Sequence, residues 1–218
     1  MKIKPSVFLN VVLAAGLAVV SAHLVASKKT SSEQSADQSS DSDQSSDVVY
    51  QNIMSRSSVR SYADRPIEKE KINKLLHAGM AAPSAMNRQP WHFIVVDDRA
   101  LLDSIASATP NAGMAKNAPL AIVVCGNKDK FAEGHAREMW SQDASAATVN
   151  ILLQAHAMGL GAVWTGTFPD ENRMAKVSSL LNLPDNLMPF STIVVGYPDG
   201  DAMPKDKWNE ENVSYNKF

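Results

Sequence analysis

Two arginines four residues apart are interleaved with hydroxyl side chains in the segment 56–62, which reads R-S-S-V-R-S-Y. Guanidinium groups bind phosphate oxygens through paired hydrogen bonds, and hydroxyl or backbone N–H groups fill the remaining acceptor positions. The segment therefore favours an anion site built from Arg56, Ser57, Ser58 and Arg60. Taken alone, the same pattern also fits a solvated surface loop.

A second segment, residues 83–93, reads P-S-A-M-N-R-Q-P-W-H-F and joins a helical pattern to an apolar run. The amides of Asn87 and Gln89 offer donors and acceptors that match the edge of a heterocycle, while Pro83 and Pro90 restrict the path of the backbone. A loop amide that caps a helix end is the alternative interpretation.

Small residues surround Trp164, Thr165 and Gly166 in the segment 159–167, which reads G-L-G-A-V-W-T-G-T. Glycine lets a backbone approach a flat ring closely, although a simple turn between a strand and a helix would look the same. Further along, a G-Y-P turn at 196–198 precedes Lys205, Lys207 and a tail that ends in Y-N-K-F.

These segments, in this order, resemble the FMN-dependent nitroreductase family. Its members carry a P-S-x-x-N-x-Q-P-W-x-F motif after an Arg/Ser segment, then a G-Y-P turn, a basic pair and a Y-N-(K/R)-(F/W) ending. The resemblance covers residues 48–218. It implies an α+β, three-layer sandwich with a mainly antiparallel central sheet flanked by helices, in an interlocked homodimer.

The resemblance also implies the cofactor contacts. Arg56 and Ser58 are expected to meet the FMN phosphate together with Lys205 and Lys207, and Arg60 to lie near flavin N1 and O2. Lys207 stands where the family usually has an arginine, so it keeps the charge but lacks the guanidinium fork. The full set of expected cofactor-binding residues is Arg56, Ser57, Ser58, Arg60, Pro83, Ser84, Ala85, Asn87, Gln142, Trp164, Thr165, Gly166, Lys205 and Lys207.

Within that set, the backbone N–H groups of Thr165 and Gly166 are expected at flavin N5 and O4. The segment 83–87 is expected to serve the flavin of the partner subunit. No catalytic side chain is expected, because the flavin N5 carries the hydride. No metal site is predicted either, since the histidines show no ligand spacing.

The implied activity is ping-pong hydride transfer from NADH or NADPH to a small acceptor such as a nitro compound or a quinone. Two alternatives remain open. One is a membrane-anchored reductive dehalogenase of the iodotyrosine deiodinase type, although the segment 131–140 lacks the tyrosine of that family's lid. The other is a flavin electron carrier without turnover.

The first 47 residues predict where in the cell the domain is located. Residues 1–26 carry an apolar run of signal-peptide or membrane-anchor length, and residues 27–47 form a Ser/Asp/Gln linker that is expected to be disordered. The domain at 48–218 is therefore expected to be exported or anchored in a bacterial-type envelope. The side of the membrane on which it lies is left undecided. A single cysteine excludes an intrachain disulfide, and a net charge of -2 gives no reason to expect nucleic acid.

The hydrophobic periodicity of the domain predicts alternating helices and strands. Helices are predicted at 48–54, 68–81, 100–108, 142–158 and 170–181. Strands are predicted at 91–96, 120–125, 162–164 and 191–195. The aromatic tail from 197 to 218 is expected to pack against another surface.

Overall fold

The structure is a computed structural model, and it describes residues 47–218, of which residues 52–218 form one compact unit. The described chain contains five α-helices, four strands and several short 3₁₀ helices. The helices are α1 (47–55), α2 (Lys69–Met80), α3 (Arg99–Ala108), α4 (Trp140–Ala157) and α5 (Glu171–Leu180). The strands are β1 (Trp91–Val96), β2 (Leu120–Asn127), β3 (Gly161–Gly166) and β4 (Leu187–Gly196).

The four strands form one antiparallel sheet in the order β1-β2-β4-β3. β2 lies inside this sheet and reads as an unbroken apolar run, because both of its faces are buried. Its side chains alternate between two cores, with Ile122 and Val124 on one face and Val123 and Cys125 on the other. β3 lies at an edge, so one side of its backbone is open to groups outside the sheet.

Helices cover both faces of the sheet. Leu75 of α2 and Ile151 of α4 pack on one face, whereas Ile105 of α3 and Val177 of α5 pack on the other. The molecule therefore has three layers, and the predicted α+β sandwich with an antiparallel central sheet is confirmed. Each predicted helix and strand is present, with ends that differ by at most four residues.

The largest difference in element ends concerns β4, which begins at Leu187 rather than at the predicted residue 191. Pro189 lies opposite Cys125 at an irregularity in the β2–β4 register. A proline cannot donate a ladder hydrogen bond, so it argues against a strand in a local pattern. The irregularity accommodates it here, which only the pairing with β2 reveals.

The predicted signal peptide or anchor (1–26), and the predicted linker up to residue 46, lie outside the described residues. Within residues 47–218, none of the helices combines the length and apolar character needed to cross a membrane.

Candidate functional site

A cleft of about 940 Å³ lies beside β3, between the Arg/Ser segment, the middle of α4 and the tail that follows β4. The segment 56–60 forms one wall, and apolar side chains of α4 form another. Trp164 projects from β3 towards the cleft. The described lining residues are Ile53, Met54, Arg56, Ser57, Ser58, Arg60, Val149, Leu152, Leu153, Trp164, Met203, Lys205, Lys207 and Trp208.

The charge of this lining is entirely positive. Arg56, Arg60, Lys205 and Lys207 are its four charged members, and no acidic residue belongs to it. In the described chain none of the four has a carboxylate within 4.0 Å. Unpaired cations gathered beside an apolar wall favour an anionic ligand with an apolar body.

The Arg/Ser segment is held in place by hydrogen bonds to the sheet. The N–H of Val59 donates to the carbonyl of Ala162 at 3.1 Å. The hydroxyl of Tyr62 donates to the carbonyls of Val59 and Val194, at 2.7 and 3.1 Å. Tyr62 is buried, which raises the pKa of its phenol well above the ordinary value of 10.0. These contacts fix the backbone that carries both arginines.

The tail reaches the cleft because its first residues are bonded to the same segment. The N–H of Ala63 donates to the carbonyl of Tyr197 at 2.9 Å, and that of Asp199 donates to Ser61 at 3.1 Å. The hydroxyl of Ser57 donates to the carbonyl of Ala202 at 2.8 Å. Ser57 therefore lines the cleft, and the hydrogen bond from its hydroxyl holds the tail that carries both lysines.

The open edge of β3 also receives donors from outside the sheet. Val59 donates to Ala162, and both Asn111 and Arg173 donate to the carbonyl of Gly166, at 3.0 and 3.3 Å. In an antiparallel strand the N–H and C=O of one residue point to the same side, and those of the next residue point to the opposite side. The N–H and C=O groups of residues 162, 164 and 166 therefore face the open edge, and those of 163 and 165 face β4.

This alternation decides which backbone groups β3 offers to a ligand. The N–H groups of Trp164 and Gly166 lie on the open edge, whereas Thr165 is buried and its hydroxyl donates to the carbonyl of Thr192 at 2.8 Å. The space that a Cβ of Gly166 would occupy is open to at least 4 Å. Gly166 is thus the better placed of the two neighbouring residues to meet a flat group.

The segment 83–90 lies outside this cleft. It contains the short 3₁₀ helix Ala85–Asn87, and its backbone is left-handed at Met86, Asn87 and Gln89, where φ is 51°, 52° and 49°. Such angles are uncommon for residues other than glycine and are concentrated at functional sites. The side-chain amide of Gln89 donates to Asn87 Oδ1 at 3.0 Å, so Asn87 keeps its own amide protons for other partners.

Half of the predicted site residues therefore meet in one cleft, and half do not. Those in the cleft are Arg56, Ser57, Ser58, Arg60, Trp164, Lys205 and Lys207. Those outside its lining are Pro83, Ser84, Ala85, Asn87, Gln142, Thr165 and Gly166. Gln142 is exposed in the first turn of α4. Along α4, Asp143, which contacts the 83–90 segment, lies six positions before Val149 in the cleft, a rise of about 9 Å.

Sequence comparison assigns the chain to a known family of proteins. The profile of the nitroreductase family matches residues 53–113 and 102–197. The chain belongs to the nitroreductase family. The match spans the Arg/Ser segment, the 83–90 segment and every strand of this nitroreductase sheet.

Individual nitroreductases agree with this assignment. A relative from Methanothermobacter thermautotrophicus, provisionally named NADH dehydrogenase/NAD(P)H nitroreductase, is 42% identical over 78% of this chain and 87% of its own. A crystal structure with the same provisional name from Parabacteroides distasonis is 48% identical, with a TM-score of 0.74 over 78% of this chain and 98% of its own. An FMN-dependent nitroreductase from Clostridium difficile is 33% identical, with a TM-score of 0.70 over 77% and 98%.

The nitroreductase cleft also contains residues that local patterns did not indicate. They come from α1, α4 and the tail: Ile53, Met54, Val149, Leu152, Leu153, Met203 and Trp208. Their apolar character is shared with core residues throughout the chain, so it carried no separate signal. Trp208 is 75% exposed in the described chain, and the tail side chains Tyr215 and Phe218 are exposed as well.

Proposed function

We propose that this chain is an FMN-dependent oxidoreductase that passes electrons from NADH or NADPH to a small acceptor, such as a nitro compound or a quinone. The observation that carries the proposal is the cleft, where four cations and no acidic residue lie beside an apolar wall. The names of two relatives, an NAD(P)H nitroreductase and an FMN-dependent nitroreductase, support the choice of donor and cofactor.

The residues of the cleft fit a molecule with a phosphate at one end and a flat ring at the other. Arg56, Lys205 and Lys207 provide unpaired positive charge for a phosphate dianion, and a guanidinium can hold two of its oxygens. Leu152 and Trp164 provide an apolar surface for a ring. A volume of about 940 Å³ lies within the range of small-molecule sites, roughly 300–1,000 Å³.

Bound FMN would supply the acceptance and donation of hydride, which protein side chains do not perform. The chain's own part is to orient the flavin and to stabilise its reduced form. Arg60 offers a fixed positive charge for the negative charge that reduction adds to a flavin, which favours the reduced state. The N–H of Gly166 offers a hydrogen bond from the open edge of β3, with free space in front of its Cα.

Anaerobic reduction of the purified full-length protein tests this function. We expect the protein to show visible flavin absorbance, either as isolated or after addition of FMN, and NADH or NADPH to bleach it within seconds. Steady-state rates with a quinone should then follow ping-pong kinetics. A protein that does not bind FMN would overturn the proposal. A flavin that is bleached by dithionite but not by either nicotinamide would favour the electron carrier.

We further propose that two chains form a homodimer in which the segment 83–87 of each subunit meets the cofactor in the cleft of the other. Asn87 has free amide protons, yet it lies outside the lining of its own cleft. The exposed tail residues Trp208, Tyr215 and Phe218 support an additional binding surface, because large exposed apolar side chains are typical of interfaces.

Mixed dimers test this arrangement. One variant, Arg56→Glu, damages the cleft, and the other, Asn87→Ala, damages the segment 83–87. If the segment serves the partner's cleft, a co-expressed heterodimer of the two variants contains one intact site and should bind FMN at one site of two. FMN binding no better than in either parent dimer would show that the segment does not act across the subunits.

We also propose that residues 1–26 hold the domain at a membrane or direct its export, with residues 27–47 as the tether. The support is the apolar run and the polar tract of the sequence. Cell fractionation of the full-length chain, compared with a chain that begins at residue 48, tests this proposal. Equal partition of the two forms in the soluble cytoplasmic fraction would contradict it.

A further inference from the structure

Asp143 is a buried acidic residue that the proposed function does not use. Its side chain lies in the first turn of α4, the residue is 7% exposed, and its Oδ1 accepts a hydrogen bond from the backbone N–H of Ala85 at 2.9 Å. Burying a carboxylate costs free energy unless it is hydrogen-bonded. The neighbours Ala144 and Ala147 on the same helix are small, buried and apolar, so packing alone does not explain an acid here.

The partner of Asp143 opens the strained part of the segment 83–90. Ala85 begins the short 3₁₀ helix, and the left-handed residues Met86, Asn87 and Gln89 follow directly. A left-handed backbone at a non-glycine residue is maintained only when its surroundings hold it there. The orientation of Asn87 therefore depends on what anchors the segment.

Besides the turns of its own backbone and the Gln89–Asn87 side-chain bond, four hydrogen bonds hold this segment, and three of them reach other parts of the protein. Ser84 Oγ accepts the N–H of Gln89 at 2.9 Å, within the segment itself. Arg88 donates to the carbonyl of Phe131 at 3.2 Å, and the carbonyl of Pro90 accepts the N–H of Asn127 at 2.6 Å, both near its C-terminal end. The bond from Ala85 to Asp143 ties its N-terminal half to the body of the protein.

We propose that Asp143 is a positioning residue: its carboxylate holds Ala85, and through it sets the orientation of Asn87 towards the flavin. The inference rests on the proposed function for its flavin contact, whereas the geometry of the segment stands without it. Asp143 acts through the backbone of residue 85 and does not itself touch the cofactor.

A double-mutant cycle between the two bonded residues tests the proposal. Asp143→Ala removes the acceptor, and Ala85→Pro removes the donor. Ser84 has φ −143° and ψ 151°, which suits a residue before proline, and proline is tolerated at the first position of a helix. We expect Asp143→Ala to raise the FMN dissociation constant about 10- to 100-fold, the effect of losing a hydrogen bond to a charged group. Adding Ala85→Pro to that variant should then change little.

Asp143→Asn supplies the rescue, since its amide oxygen can still accept the N–H of Ala85. It should bind FMN within about threefold of the wild type. Asp98→Ala is the control, because Asp98 also accepts one backbone N–H at a helix start, that of Leu101 at 2.9 Å, but caps α3, away from the segment 83–90. This control should lower the thermal midpoint and leave FMN affinity unchanged.

Limited trypsin digestion of the cofactor-free protein provides a readout that needs no flavin. Arg88 is exposed within the segment, and faster cleavage after Arg88 reports its opening. We expect Asp143→Ala to accelerate this cut and Asp98→Ala to leave it unchanged. The inference would be overturned if Asp143→Ala kept the cleavage rate and the FMN affinity of the wild type. It would also be overturned if Asp98→Ala showed the same changes in both quantities as Asp143→Ala. If the wild type binds no FMN, the proposed function fails while the trypsin comparison still decides the role of Asp143.

Discussion

The backbone N–H of Val59 donates to the carbonyl of Ala162 at 3.1 Å, and this contact joins the Arg/Ser segment to the open edge of β3. The two segments that the cleft requires, one with cations and one with backbone donors, are thereby held at a fixed distance. The side chain of Val59 lies against Gly161, where there is no room for a methyl group.

Gly161→Ala is therefore expected to push the Arg/Ser segment away from β3. The new Cβ would lie 2.5 Å from Val59 Cγ1 and 2.6 Å from Val59 Cβ, and the second of these atoms cannot rotate away. We expect a loss of about 1–3 kcal/mol in the free energy of unfolding, together with weaker FMN binding. Urea denaturation and a flavin titration measure the two effects. Gly113→Ala is the control, because its Cβ would meet nothing within 4 Å.

Lys207→Arg is expected to strengthen the hold on the cofactor phosphate. A guanidinium fork binds two phosphate oxygens at once, whereas the ammonium of Lys207 acts as a point charge. We expect FMN to bind up to about tenfold more tightly in Lys207→Arg, and about tenfold or more weakly in Lys207→Ala. Added salt should weaken the binding of the wild type more than that of Lys207→Ala. Lys176→Ala, on α5 and outside the cleft, should match the wild type in the same titrations.

Tyr197→Phe is expected to alter the acid sensitivity of the fold. The Tyr197 hydroxyl donates to Glu68 Oε2 at 2.6 Å and is the main cause of the lowering of the Glu68 pKa from 4.5 to about 2, with smaller contributions from the residue's own backbone N–H and from Arg65. A carboxyl whose pKa falls on folding stabilises the folded state above its unfolded pKa and loses that contribution as the pH drops towards its folded pKa.

The wild type should therefore lose stability between about pH 5 and pH 2 more steeply than Tyr197→Phe. Because Glu68 is exposed, salt should reduce the difference. Urea midpoints measured across this pH range, at low and high salt, provide the check. Parallel pH profiles for the two proteins would mean that the Tyr197 bond does not contribute.

Cys125 is expected to be unreactive in the folded protein. It lies in β2 at 0% exposure, and burial raises the pKa of its thiol to about 12, so almost no thiolate forms at neutral pH. A disulfide reagent should modify it only after unfolding, with a rate that follows the population of unfolded chains. Rapid labelling without denaturant would show that the β2 region opens locally.

Because Cys125 is buried, its labelling cannot report on which side of the membrane the domain lies. Labelling of Cys125 from outside intact cells would fail in either orientation. A reporter at an exposed position, Ser107→Cys in a Cys125→Ala background, should react from outside only if the domain faces outward. Reaction only after lysis would place the domain inside.

Local patterns in the sequence predicted the helices and strands well, because period and turn residues are local properties. The apolar run 120–125 predicted a buried strand, and it forms β2, with both faces covered. The Arg/Ser segment and the motif at 83–93, together with their order along the chain, carried the resemblance to nitroreductases that the family match confirms. β4 was predicted too short, since the pairing that accommodates Pro189 involves a strand about 60 residues away.

The sequence by itself therefore determined the elements, the family and the cationic residues of the site. Only the tertiary structure decided which of them meet. The sheet order β1-β2-β4-β3 places β3 at an edge, and that edge brings residues 56–60, 164 and 205–207 together from distant parts of the chain. The length of α4 separates the segment 83–90 from the same cleft, and the burial of Asp143 against Ala85 anchors that segment. These relations depend on packing between elements far apart in sequence, which no local pattern encodes.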